Sequence, residues 1–189
     1  MKRDYKVVFS DIDGTLLNAA HQITEGTKEK IAELFKEGIP FVLVSARSPK
    51  AMEGIWKELG ARSPIVAFAG AVIMEADGRM LHSVELEGQK AEEICHYIQK
   101  QKEQVMINLF FKDRWMVEDR NVDWIRKEME ITGLAPEEVS FAEKSNFKRI
   151  HKILCMGDPE QIDSLEKKLI ERFPQVHVSK SKDTYLEIM

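Results

Sequence analysis

Cysteine is scarce: Cys95 and Cys155 are the only two in 189 residues, and neither belongs to a CxxC pair. That count excludes a disulfide framework and a thiolate zinc site. Isolated cysteines inside apolar patterns predict buried, reduced thiols, as in a cytoplasmic protein. The five histidines, His21, His82, His96, His151 and His177, show no zinc-ligand spacing. A surplus of positive charge is missing as well. Lys and Arg total 28 against 32 Asp and Glu, a net charge of −4, with the two signs interspersed. There is no basic face for nucleic acid and no polybasic patch for anionic lipid. Long hydrophobic runs are also absent. The longest, residues 64–74, falls far short of the roughly 20 residues that span a bilayer. The short apolar run after Met1-Lys2-Arg3-Asp4-Tyr5 predicts no secretory leader. The expected partners therefore include neither nucleic acid nor membrane.

The remaining composition is that of a globular chain, 43% hydrophobic and 32% charged, with enough apolar material for a core. Its length suits one large domain or two small ones, and it holds no repeat or low-complexity segment. Lys6 to Ser10 reads as a buried strand, apolar on both faces. Thr24 to Glu37 reads as a helix capped by Thr24, with Ile31, Leu34 and Phe35 inward and Gly38 at its end. Ile39 to Val44 is a second strand. Ser48-Pro49 opens a second helix that Gly60 ends, and Ile65 to Phe68 is a third strand. This alternation predicts a parallel sheet packed with helices.

After about residue 70 the pattern changes. Strands are expected at 71–74 and 79–83 around the turn Asp77-Gly78, then at 105–111, 114–118, 149–156, 176–179 and 184–189. Helices are expected at 89–100, at 122–131 and from Asp158-Pro159 onward. This half reads as an α+β module with antiparallel pairing. The predicted fold class is α/β, with a parallel-sheet unit over residues 1–81 and an α+β module over 82–189.

The chemistry-bearing residues follow the first strand, in Asp11-Ile12-Asp13-Gly14-Thr15. Ligands bind beyond the carboxyl ends of strands in parallel α/β sheets, and residues i and i+2 of an extended segment share a side. Asp11 and Asp13 should therefore point into one crevice, where Gly14 permits a tight turn and Thr15 offers a hydroxyl. Two close carboxylates need a compensating cation, and Mg²⁺ prefers such oxygens together with those of phosphate. A carboxylate can also attack phosphorus, while a second serves as general acid and base. Taken alone, Asp-x-Asp-Gly also describes an ordinary turn. The preceding strand, and Ser45 at the matching end of the second strand, favour the reactive reading. Ser45 can bind a phosphoryl oxygen there, and Arg47 can add a charge-assisted contact.

On these residues the chain resembles the haloacid dehalogenase superfamily. Val-Val-Phe-Ser-Asp-Ile-Asp-Gly-Thr-Leu-Leu, residues 7–17, looks like that superfamily's first motif. Ser45-Ala46-Arg47 resembles the second motif of its Cof-like sugar-phosphatase branch, and residues 82–189 are similar to that branch's large α/β cap, which implies an α/β fold with a partial Rossmann-like parallel sheet core over 1–81 and an inserted α+β cap domain over 82–189. The resemblance implies a phosphatase acting on a small phosphorylated metabolite, a sugar or cofactor phosphate, through an aspartyl-phosphate. Asp11 would be nucleophile and Mg²⁺ ligand. Asp13 would be the acid/base and would give its carbonyl to Mg²⁺. Gly14, Thr15, Ser45 and Arg47 would hold the phosphoryl group.

The chain departs from the family in two respects. Ala69-Gly70-Ala71 stands where the family carries Asn-Gly-Ala, and neither the phosphate-binding lysine nor the Gly-Asp-x-x-Asn-Asp metal loop occurs in the 189 residues. The expectation is weak or absent turnover by this chain alone, with a non-catalytic phosphate- or metal-binding fragment as the alternative. A phosphoacceptor receiver domain also modifies an aspartate after a strand, but it lacks the Asp-x-Asp-Gly-Thr turn and an inserted module. Gly157-Asp158-Pro159-Glu160-Gln161 superficially resembles the metal loop but reads as a helix start, with Asp158 and Gln161 forming a capping box. Lys180 and Lys182 are expected on an exposed strand or turn. Lys144, Lys148, Arg149 and Lys152 are expected on a solvated basic face. Val7 and Phe9 should lie on an exposed apolar sheet edge, which invites a homodimer through the core edge.

Overall fold

The computed structural model of the chain describes residues 5–60 and 62–189. The leader reading therefore falls largely outside the described residues, at 1–4. Two compact units are present, Met1–Ser83 and Val84–Met189.

The first unit comprises β1 (Val8–Asp11), α1 (Glu25–Lys36), β2 (Phe41–Val44), α2 (Pro49–Leu59), β3 (Ile65–Ala67), β4 (Val72–Met74) and β5 (Met80–Ser83). The strands form one sheet in the order β1-β2-β3-β4-β5. The first three are parallel and the last two antiparallel. Parallel neighbours require crossovers, and α1 and α2 supply them. Both helices begin at side-chain caps. Thr24 accepts from Thr27 N at 3.3 Å, and Ser48 accepts from Ala51 N at 3.3 Å, directly before Pro49. Gly60, at φ 69°, ends α2 in the left-handed conformation that glycine adopts without steric cost. Ile31 and Leu34 of α1, with Met52, Ile55 and Trp56 of α2, bury one face of each helix. In the described sheet β1 is an edge strand. Phe9 on it is 62% exposed and Val7 beside it 38%.

The second unit comprises β6 (Leu86–Glu87), α3 (Gly88–Gln99), β7 (Met106–Phe111), β8 (Arg114–Val117), α4 (Asp123–Thr132), β9 (Glu137–Glu138), β10 (Arg149–Ile150), β11 (Lys152–Met156), α5 (Pro159–Arg172), β12 (Val178–Lys182) and β13 (Tyr185–Ile188). Six strands pair in the order β12-β13-β11-β7-β8-β9, and β6 pairs with β10 in a separate ribbon. The sheet is antiparallel apart from the β8–β9 pair. Strand alternation sends Leu109, Met116, Ile153, Cys155, Leu186 and Ile188 into a core with Ile94 and Ile98 of α3 and Leu165 and Leu169 of α5. Cys95 and Cys155 are buried there as free thiols. Burial pushes both thiols up, Cys155 to about 12. Among the described residues no helix is long and apolar enough to cross a membrane.

Three expectations fail in this unit. The single strand over 149–156 is two strands in different sheets, parted at His151. The imidazole of His151 is buried and its Nδ1 accepts from Lys112 N at 3.0 Å. The capping box at the start of α5 does not form. Asp158 occupies the N-cap without a side-chain hydrogen bond, and Gln161 Oε1 instead accepts from Gln104 N at 3.1 Å. A tertiary donor has displaced the local one. Lys152, finally, is not part of a solvated face. Alternation along β11 places it with Leu154 and Met156, and its side chain is 6% exposed against Glu187. Arg149 and Lys144 do remain exposed, paired with Glu85 and Glu92.

Candidate active site

β1 ends at Asp11, level with Val44 at the end of β2. The chain then folds into a tight turn. Leu16 N donates to the Asp11 carbonyl at 3.3 Å and Leu17 N to the Ile12 carbonyl at 2.9 Å. Gly14 sits at φ 78° within that turn, a conformation costly for any residue with a Cβ. Ile12 and Leu16 point inward and are buried, while Asp11 and Asp13 are exposed. The buried side chains of Ile12 and Leu16 anchor the turn, and the two carboxylates flanking Ile12 are left exposed.

The loop after β2 supplies the other groups. Ser45 N donates to Val66 O at 2.9 Å, and Ala69 N donates to Ser45 O at 3.0 Å. Ser45 is 6% exposed, and its Oγ accepts from Arg47 N at 3.2 Å. That bond uses an acceptor position of the hydroxyl and leaves its proton available to a ligand oxygen. Arg47 makes a two-pronged pair with Asp13: Nε to Oδ2 at 3.0 Å and Nη2 to Oδ1 at 2.7 Å. Both carboxylate oxygens of Asp13 are engaged. Asp11 has no side-chain hydrogen bond or ion pair to any other described residue.

The structure therefore brings Asp13, Ser45 and Arg47 together beside Asp11. Thr15 follows Gly14 in the turn and is exposed. It lines a cleft of about 410 Å³ with Ser10, Leu16 and residues of α1, whose wall includes none of the other candidates. Sequence reasoning missed the bracing role of the loop after β3. Phe68, Ala69 and Gly70 all have positive φ, at 47°, 51° and 108°. From there Phe68 N donates to Arg47 O at 3.0 Å and Ala69 N to Ser45 O at 3.0 Å. Only main-chain groups do this work, so an asparagine side chain at position 69 is not needed for it. Gly70 was the available sequence signal.

No group of three or more His, Cys, Asp or Glu side chains able to hold a metal occurs among the described residues. The donors at hand are the Asp11 carboxylate and the main-chain carbonyl oxygen of Asp13, since both Asp13 carboxylate oxygens are held by Arg47. This small all-oxygen set fits Mg²⁺, which takes one or two carboxylates and fills its shell with water and phosphate oxygens. Softer metals would want nitrogen or sulfur.

The family profile of the haloacid dehalogenase-like hydrolases matches residues 8–189. A Haemophilus influenzae protein provisionally named as a phosphatase is 32% identical over 185 residues, covering 98% of this chain and 69% of that protein. A glucosyl-3-phosphoglycerate/mannosyl-3-phosphoglycerate phosphatase of Persephonella marina is 36% identical over 72 residues, covering 38% of this chain and 27% of its own length. A Thermotoga maritima protein of known crystal structure superposes with a TM-score of 0.82 at 26% identity, over 98% of this chain and 69% of that one.

Proposed function

The chain belongs to the haloacid dehalogenase-like hydrolases, and from that premise we propose that its chemistry is hydrolysis of a small phosphomonoester through an aspartyl-phosphate on Asp11. The observation carrying this reading is the exposed Asp11 carboxylate at the end of β1, unpaired among the described residues, with Asp13, Ser45 and Arg47 gathered beside it. An Asp11 carboxylate oxygen attacks phosphorus and the P–O ester bond breaks. The departing oxygen takes a proton from Asp13, which must be protonated for this step. Water then gives a proton to Asp13 and attacks phosphorus, and the acyl-phosphate bond breaks to release phosphate and free Asp11. The Ser45 hydroxyl donates to a non-bridging phosphoryl oxygen. When bound through Asp11 and Asp13, Mg²⁺ supplies charge neutralisation for the phosphoryl oxygens.

A small phosphomonoester that includes a sugar is the favoured substrate class. The Persephonella relative, named for glycosyl glycerates phosphorylated on the glycerate, supports this over the segment it shares. Because the phosphate-binding lysine and the metal loop are not among the 189 residues, turnover is expected to be slow, and the test is Mg²⁺-dependent release of phosphate from p-nitrophenyl phosphate and a panel of hexose phosphates at high protein concentration. Asp11→Asn should abolish release, and EDTA should suppress it reversibly. Turnover that survives Asp11→Asn would overturn the proposal.

A further inference from the structure

The pairing of Arg47 with Asp13 is hard to reconcile with a static acid/base. Both oxygens of this carboxylate are occupied by the guanidinium fork, so the acceptor positions facing Arg47 are taken. The same guanidinium fork fits two oxygens of a phosphate equally well. Arg47 is also placed to choose. Its side chain is 17% exposed and that of Asp13 is 42% exposed. Its backbone is fixed at both ends of the dipeptide unit, by Arg47 N to Ser45 Oγ and by Phe68 N to Arg47 O. The fork can therefore swing while its anchor stays still. Arg47 leads directly into Ser48, the N-cap of α2, whose amino-terminal end itself favours an incoming anion.

We propose that Arg47 is a positioning residue that exchanges partners, leaving Asp13 for the phosphoryl oxygens of an arriving ligand and so freeing Asp13 for proton transfer. This rests on the phosphoester reading above and deepens it. Asp13 and the phosphoryl group compete for one fork. The carboxylate is thus engaged as a catalyst only when a phosphoryl group is present to take its place.

The exchange makes a prediction for binding that needs no turnover. Inorganic phosphate affinity would be measured by calorimetry on the full chain, with and without Mg²⁺, for wild type, Asp13→Asn, Asp11→Asn, Arg47→Gln, Arg47→Lys and the Asp13→Asn/Arg47→Gln double variant. Removing the competing carboxylate should tighten phosphate binding about two- to fivefold, the range set by a partly exposed ion pair. Arg47→Gln should weaken it, and Arg47→Lys should restore part of the loss. The decisive comparison is the double variant. If Asp13 acts by occupying Arg47, the gain from Asp13→Asn vanishes when Arg47 is absent. Should the gain persist in the Arg47→Gln background, or be matched by Asp11→Asn in strength and Arg47 dependence, Asp13 acts only as a nearby negative charge and the exchange is refuted. Failure of every variant to bind phosphate overturns the phosphoester reading itself, and the exchange with it.

Discussion

Replacing Lys152 by methionine tests what holds the second unit together. Lys152 Nζ lies 3.3 Å from Glu187 Oε1, and each side chain is 6% exposed. The ammonium also sits 5.3 Å from the Phe110 ring centroid, and burial pulls the Lys152 pKa below its ordinary value. Glu187 Oε1 accepts additionally from Ser181 Oγ at 2.9 Å. Methionine keeps most of the volume over Phe110 but strands the carboxylate in the sheet with one hydroxyl donor. Breaking a buried pair by removing one partner costs about 3–5 kcal/mol. The low end, about 3 kcal/mol, applies here because Ser181 remains and the Nζ–Oε1 contact is long. Replacing both residues by methionine removes the stranded charge, and the double variant should return to within about 1 kcal/mol of the parent. The assay is urea unfolding followed by tryptophan fluorescence in a Trp56→Phe background, which leaves Trp115 and Trp124 as reporters of this unit. A cost below about 1 kcal/mol for Lys152→Met, or a double variant costing the sum of the two singles, would refute the argument.

Three further outcomes follow from particular contacts. A Cβ on Gly88 would stand 1.8 Å from the Phe147 carbonyl oxygen and 2.9 Å from that of Lys148. Gly88→Ala should therefore destabilise the second unit by about 3 kcal/mol, read as a lower urea midpoint. Burial holds His151 below its ordinary 6.5, against the pull of Glu85 and with the help of Lys112. The unfolded chain thus binds more protons below that value, so the contribution of His151 to stability is present above it and lost as pH falls through the folded pKa. Urea midpoints should drop between pH 7.5 and 5.5, less so for His151→Asn, whose Oδ1 can still accept from Lys112 N; equal slopes would exclude this. Ala69→Asn should stabilise the first unit by about 0.5–1 kcal/mol, because Ala69 is exposed in the left-handed region that asparagine tolerates better; an unchanged melting temperature would count against it.

Much of this was legible in the sequence because its causes are local. Thr24, Ser48-Pro49 and Gly60 bound their helices through contacts with residues one turn away, so composition at those positions suffices. The run Val8 to Asp11, with Gly14 after it, specifies a strand and a turn by steric preference alone. The position of the two carboxylates follows from the alternation of their neighbours. Where a distant partner outbid a near one, the sequence could not tell. Gln161 left its own helix for Gln104, 57 residues away. Lys152 went inward because a carboxylate 35 residues on met it there. Gly88 looks like a poor helix opener until the Phe147 carbonyl is found against its Cα. The motif likewise named Asp13 and Arg47 without pairing them, since 34 residues separate them and only the parallel register of β1 with β2 brings their loops together. The residue types that do chemistry were thus set by the chain, and their present partners by packing, because a charged side chain takes the best compensating group within reach and the tertiary fold alone determines which groups are in reach.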